Sequence, residues 1–228
     1  YNRSIGIPLP NIEFILPDSN NYKSGEYYIC IGDTWQIHLN FGLLPTSYKD
    51  FQEEVRVLTR HEVEHYICCP FDVLTHFRML KAIIDTYHQH YSHHVIDIVS
   101  LSGSLANQAA DIIIDTKNFY RHKSETLKSE IAWIKKGSYE SFKDLQRHSK
   151  LMFLTKEAIW KVSLELSEDD VELISEVNSL AEKFVKEGID NRDLFISKTI
   201  DYTHSFFKLF EGIRPTNPIL HERIGGIC

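Results

Sequence analysis

The chain lacks the features that mark membrane-spanning, secreted and disulfide-stabilised proteins. No segment approaches the length of about 18 uninterrupted apolar residues that a transmembrane helix requires, and no secretory signal peptide is visible. The four cysteines form neither a spaced framework nor a Cys-x-x-Cys pair, which argues against a disulfide scaffold and against a structural zinc site held by cysteines. We therefore expect reduced thiols and a cytoplasmic protein without a membrane partner.

Long runs of Lys and Arg, internal repeats and low-complexity segments are also lacking. The net charge is −7, and phosphate binding needs clustered basic side chains, so nucleic acid is not expected as a partner. With 228 residues, of which 43% are hydrophobic and 25% charged, the chain can bury one substantial core. Composition indicates no particular function and leaves the oligomeric state unknown.

The most informative pattern is His-Glu-Val-Glu-His at residues 61–65. Two histidines four apart stack on the same side of an α-helix and can share one Zn²⁺, while the glutamate after the first can deprotonate a water molecule. His61 and His65 are thus candidate metal ligands, and Glu62 is the candidate general base. Glu64 is interpreted either as a solvated helix residue or as a further acid near the metal. The pattern favours a zinc hydrolase.

The neighbouring sequence predicts a helix that buries both histidines. The stretch from residue 48 to residue 67 contains no Gly or Pro. Its apolar residues recur every three or four positions, at Phe51, Val55 and Leu58. Continuing this spacing leads to His61 and His65, so the two imidazoles belong to the apolar side of the helix, where a metal site would lie.

A catalytic zinc site needs a third protein ligand and leaves its fourth position to water. Residues 105–115 predict a helix in which Asn107, Asp111 and Asp115 recur every four residues in an otherwise apolar run. Buried carboxylates without partners would be costly, and a metal together with a ligand histidine would satisfy them. The alternative third ligands are Asp115 itself and, near the predicted end of another helix, His93 or His94.

With these two segments the chain resembles the gluzincins, zinc peptidases in which His-Glu-x-x-His is followed by a helix carrying an acidic ligand and, four residues later, an orienting Asp. Residues 107–111 are also similar to those of uncharacterised prokaryotic metallopeptidase-like proteins. Two registers are possible. Either Asp111 is the ligand and Asp115 orients a histidine, or Asp111 orients and Asn107 occupies the ligand position. Anionic oxygen binds zinc better than an amide carbonyl, which favours Asp111 as the ligand.

The resemblance implies a zinc metallopeptidase with one Zn²⁺ on His61, His65 and Asp111. Glu62 would accept a proton from water and deliver it to the leaving amine, and Asp115 would hold one imidazole in the required tautomer. The substrate would be a peptide or a protein. The alternative is a zincin-like protein that serves as a non-catalytic interaction or regulatory module.

The expected fold class is α+β, mainly α, with a zincin-like small N-terminal sheet packed on the active-site helix and a helical C-terminal half. Residues 27–31 and 35–39 predict two strands joined by a hairpin turn. We expect a catalytic subdomain at residues 1–122 and a helical subdomain at residues 123–228. The tail, residues 214–228, either packs on the outside or lies across the active-site cleft as an inhibitor.

Overall fold

The fold begins with three short strands, β1 (Asn11–Ile15), β2 (Tyr28–Ile31) and β3 (Trp35–Asn40). Strand β3 is central, and it pairs in parallel with β1 and antiparallel with β2. In this register Ile37 lies opposite both Ile12 and Ile29. The structure, a computed structural model, describes residues 11–15, 28–31, 35–40, 48–136, 142, 145–186 and 188–212.

Helices make up most of the remaining described chain. They are α1 (Tyr48–Ile67), α2 (Val73–His90), α3 (Ile98–Arg121), α4 (Lys123–Lys136), α5 (Arg147–Trp160), α6 (Val171–Lys186) and α7 (Phe195–Lys208), with a 3-10 turn at Arg192–Leu194. Helix α1 has the bounds that its uninterrupted sequence predicts.

Aspartate side chains fix where α2 and α3 begin. Asp72 accepts a hydrogen bond from the backbone N–H of Thr75 at 2.7 Å, which satisfies a donor in the first turn of α2. Asp97 does the same for α3 by accepting from the N–H groups of Val99 and Ser100, both at 3.2 Å. The starts of both helices are therefore encoded locally, by capping side chains one to three residues away.

Helix α3 is the centre of the hydrophobic core. It packs against α1, α2, α4, α5 and α7, and it carries apolar side chains on all sides, as expected for a helix surrounded by others. Leu105, Ile112, Ile113 and Ile114 are fully buried. Polar groups on such a helix are removed from water, so Asp111 and Asp115 need specific partners inside the protein.

The expected fold class, α+β and mainly α with a zincin-like sheet packed on the active-site helix, is wrong in its sheet layer, whereas the protein is mainly helical as expected. Among the residues whose side chains are described, 78% are helical and none lies in a strand. The three strands are only five, four and six residues long, whereas the helices pack on one another around α3. A sequence pattern of two short strands does not determine whether a sheet or helices provide the core.

The predicted boundary at residue 122 falls between α3 and α4. Buried residues on both sides of this boundary belong to one hydrophobic cluster, for example Ile113 and Leu151. Elements of both halves therefore contribute to the surroundings of α3. In the described part of the chain, no helix combines the length and the apolar character needed to cross a membrane.

Candidate metal centre

His61 and His65 lie in the C-terminal half of α1 and face α3. Their ring centroids are 4.9 Å apart and the rings are nearly perpendicular, at 84°. The side chain of His65 is 3% exposed and that of His61 is 23% exposed. The side chain of His65 is thus enclosed by protein, while that of His61 is partly exposed.

Asp111 of α3 completes a three-residue group with these histidines. Its Oδ1 atom is 3.5 Å from His61 Nε2 and 3.2 Å from His65 Nε2. One nitrogen or oxygen atom of each residue lies within 4.8 Å of the other two. Asp111 Oδ1 is buried and makes no hydrogen bond, a costly condition for a carboxylate oxygen. These three residues, called the metal group below, could therefore hold a metal ion.

The second nitrogen of each imidazole is bound to an acceptor. His61 Nδ1 donates to Asp115 Oδ1 at 2.7 Å, and His65 Nδ1 donates to the backbone carbonyl oxygen of Cys69 at 3.0 Å. Donation through Nδ1 leaves the Nε2 lone pair of the neutral ring for a ligand, and both Nε2 atoms face Asp111. Burial lowers the pKa of His61, but the nearby Asp115 carboxylate outweighs it and raises that pKa to about 10. Without a metal the ring therefore carries a proton on Nε2 as well, and a bound metal would displace that proton.

Glu62 is 5% exposed, so its carboxyl group is almost wholly enclosed beside the histidines. Burial raises the pKa of Glu62, while the neighbouring His61 and His65 lower it in part. Together with Asp111 and Asp115, Glu62 concentrates carboxylates in a small buried volume. A divalent cation would offset this negative charge, so the donor set and its surroundings fit a metal ion.

Glu64 has a different role from either interpretation of the sequence. It is buried, and its carboxylate lies 2.7 Å from Lys117 Nζ and 3.0 Å from an Arg121 nitrogen. Both basic residues belong to the last turns of α3. Glu64 therefore ties α1 to α3 through ion pairs on a part of the helix that does not contribute to the metal group.

The alternative ligands lie in other positions. Asn107 Nδ2 donates to Asp111 Oδ2 at 3.1 Å, so the amide supports the carboxylate. The His94 ring packs against Phe207 and Phe210, with centroids 6.0 Å and 5.1 Å away, and is not part of the metal group. The tail at residues 214–228, suggested as an inhibitor, lies outside the described residues.

Sequence reasoning missed two residues behind Asp115. Lys156 of α5 donates to Asp115 Oδ2 at 2.6 Å and to Glu130 Oε1 of α4 at 2.9 Å. Burial raises the pKa of Asp115, but Lys156 and His61 outweigh it and hold that pKa below the usual range. The available signal was that Lys156 lies four residues before the buried Trp160 and so shares its helix face. Lysines near such a face usually extend their ammonium group to water, which hides this signal.

Comparisons with known proteins identify no relative of this chain. No protein-family model matches the chain, and neither does any curated protein or solved structure. The resemblance to gluzincins therefore rests on residues 61–65 and 107–115 alone.

Proposed function

We propose that the protein is a zinc-dependent metallopeptidase that hydrolyses a peptide or protein substrate. The observation that carries this proposal is the convergence of one possible ligand atom each from His61, His65 and Asp111 within 4.8 Å. They come from two helices, and each imidazole is held in place through its other nitrogen. Such preorganisation is typical of metal ligands.

The ligand set and its spacing favour zinc. Two ligand atoms about 2.1 Å from a tetrahedral zinc ion lie about 3.4 Å apart, close to the 3.5 Å and 3.2 Å that separate Asp111 Oδ1 from the two ring nitrogens. Three protein ligands leave a fourth position free, as in catalytic rather than structural zinc sites. When bound, zinc supplies positive charge that acidifies water and polarises a carbonyl oxygen.

Residues of the chain would handle the proton and the orientation of the ligands. Glu62 directly follows a ligand histidine, is buried beside the group, and would act as the general base that accepts a proton from the attacking water and passes it to the leaving amine. Asp115 holds the Nδ1 proton of His61, so that Nε2 is the nitrogen that would bind the metal after losing its own proton. The partly exposed edge of His61 is the side from which a substrate would approach.

The test compares wild-type protein with Glu62→Gln. We expect Glu62→Gln to retain about one zinc per chain, measured by elemental analysis, and to lose hydrolysis of an unfolded casein-type substrate by a factor of about 100 or more. Glu53→Gln is the matched control, because Glu53 lies on the same helix and pairs with Lys128 at 3.0 Å, away from the metal group. It should keep both zinc and activity.

Two outcomes would contradict the proposal. Full turnover by Glu62→Gln would remove Glu62 from the role of general base. Stoichiometric zinc in wild-type protein without any chelator-sensitive hydrolysis would favour the alternative, a non-catalytic interaction or regulatory module that retains the metal site.

A further inference from the structure

A chain of four charged or polar side chains runs from the C-terminal half of the protein to the metal group. Lys156 is 3% exposed and donates to both Glu130 and Asp115, at 2.9 Å and 2.6 Å. Asp115 in turn accepts from His61 Nδ1 at 2.7 Å. The connected atoms come from α4, α5, α3 and α1, so residues beyond 122 reach the candidate site through Lys156.

The two oxygens of Asp115 are held from opposite sides. Oδ1 accepts from His61 and Oδ2 accepts from Lys156. The terminal torsion of an Asp side chain is soft, so a carboxylate bound through one oxygen can rotate. A second, charge-assisted hydrogen bond removes that freedom and fixes the direction in which Oδ1 presents its lone pairs.

We propose that Lys156 is a positioning residue of the metal site, which clamps Asp115 so that His61 keeps its Nδ1 proton and directs Nε2 at the metal. This inference rests on the proposed metal site. Lys156 does not touch the metal ligands' Nε2 or Oδ1 atoms, and it acts through Asp115. Glu130 supplies the second carboxylate that keeps the buried ammonium paired when Asp115 is shared with His61.

The chain contains a closely matched control on the same helix. Lys150 is also buried on α5, with its side chain 7% exposed, and it pairs with Glu168 at 2.6 Å. Each of the two ammonium groups also lies over a phenylalanine ring, at 5.7 Å for Lys150 and 5.9 Å for Lys156. Replacing either lysine by Met therefore breaks a buried ion pair of similar kind, but only one of these pairs leads to Asp115.

The first measurement is zinc affinity by competition with a chromophoric chelator. We expect Lys156→Met to bind zinc about 10- to 100-fold more weakly than wild type, the usual effect of losing support around a ligand histidine, and Lys150→Met to bind as wild type does. Lys156→Arg, which retains charge and donors, should recover most of the affinity. Equal affinity of Lys156→Met and Lys150→Met would overturn the proposal, as would failure of Lys156→Arg to bind better than Lys156→Met.

The second measurement does not need a metal. In protein with ¹⁵N-labelled histidine, the Nδ1–H resonance of His61, assigned by its loss in His61→Gln, should be present in wild type and Lys150→Met and lost or strongly shifted in Lys156→Met. An unchanged His61 resonance in Lys156→Met would refute the positioning role, whether or not the wild-type protein binds zinc. Absence of zinc binding by the wild type would be a separate result, and it would reject the proposed function. If Lys156→Met does not fold, Lys156→Gln is measured in its place with the same expectations.

Discussion

Replacing Asp111 by Asn tests the proposed third metal ligand most directly. The substitution keeps the size of the side chain and a partner for Asn107, which donates to Asp111 Oδ2 at 3.1 Å. It removes the anionic oxygen that lies 3.5 Å and 3.2 Å from the two ring nitrogens. It also removes one of the buried carboxylates that surround Glu62. We therefore expect weaker zinc binding without a loss of stability in the metal-free protein.

The size of the effect follows from binding linkage. Free zinc at about 1,000 times its dissociation constant stabilises the folded state by about 4 kcal/mol. For a domain of this size each kcal/mol raises Tm by about 2–4 °C, so wild-type protein should gain about 8–16 °C. If Asp111→Asn binds at least about 100-fold more weakly, the same zinc concentration supplies about 1.4 kcal/mol or less and the gain falls to about 3–6 °C.

The assay is thermal unfolding with excess chelator and with buffered free zinc. Glu62→Gln should keep the full zinc-dependent gain, because Glu62 is not among the three candidate ligands. Asp85→Asn is a surface control, since the Asp85 side chain is 48% exposed and pairs with Lys81. If zinc raised the Tm of Asp111→Asn as much as that of the wild type, the assignment of Asp111 as a ligand and the reasoning behind it would be refuted.

Two further predictions concern stability. His148 is 8% exposed and packs between Phe206 and Phe210, and burial lowers its pKa from 6.5 to about 4. The contribution of the neutral His148 to the free energy of unfolding is therefore fully present above its pKa in the unfolded chain. It is lost as pH falls from that value toward the pKa in the folded protein. In urea unfolding, the wild type should lose about 3 kcal/mol more free energy of unfolding than His148→Phe between about pH 7 and about pH 4. Parallel pH profiles of the two proteins would contradict this. Glu64→Gln leaves the Lys117 ammonium without its counter-charge and should cost about 2–3 kcal/mol in urea unfolding, with zinc affinity unchanged; weaker zinc binding would instead place Glu64 in the metal site.

The sequence was most informative where local rules decide the structure. Residues 48–67 form α1 with the predicted bounds because no Gly or Pro interrupts an apolar spacing. The same regular spacing brings His61 and His65 to one face, and the four-residue interval in α3 brings Asp111 and Asp115 toward them. The observed α3 starts about two turns before the predicted residues 105–115, because Asp97 caps it ahead of Gly103 and several serines.

The parts of the site that the sequence did not predict depend on contacts that no local pattern marks. The partner of His65 is a backbone carbonyl, that of Cys69, and every residue type carries such a group. Lys156 reaches Asp115 across 41 positions in sequence, so no local pattern marks the pair. The sheet layer of the expected fold class is wrong for a similar reason, because hairpin signals over a few residues do not show how much of the core the helices provide.

The two candidate ligand histidines are hydrogen-bonded to acceptors of different kinds, so substitutions can alter their surroundings to different extents. A substitution at position 115 can alter the charge, reach or polarity of the group behind His61. No side-chain substitution removes the main-chain oxygen behind His65, which leaves that ring with an anchor of constant strength. Substitutions that change the proposed metal affinity through these hydrogen bonds are therefore expected to act on His61, while the hydrogen bond of His65 to the backbone is retained.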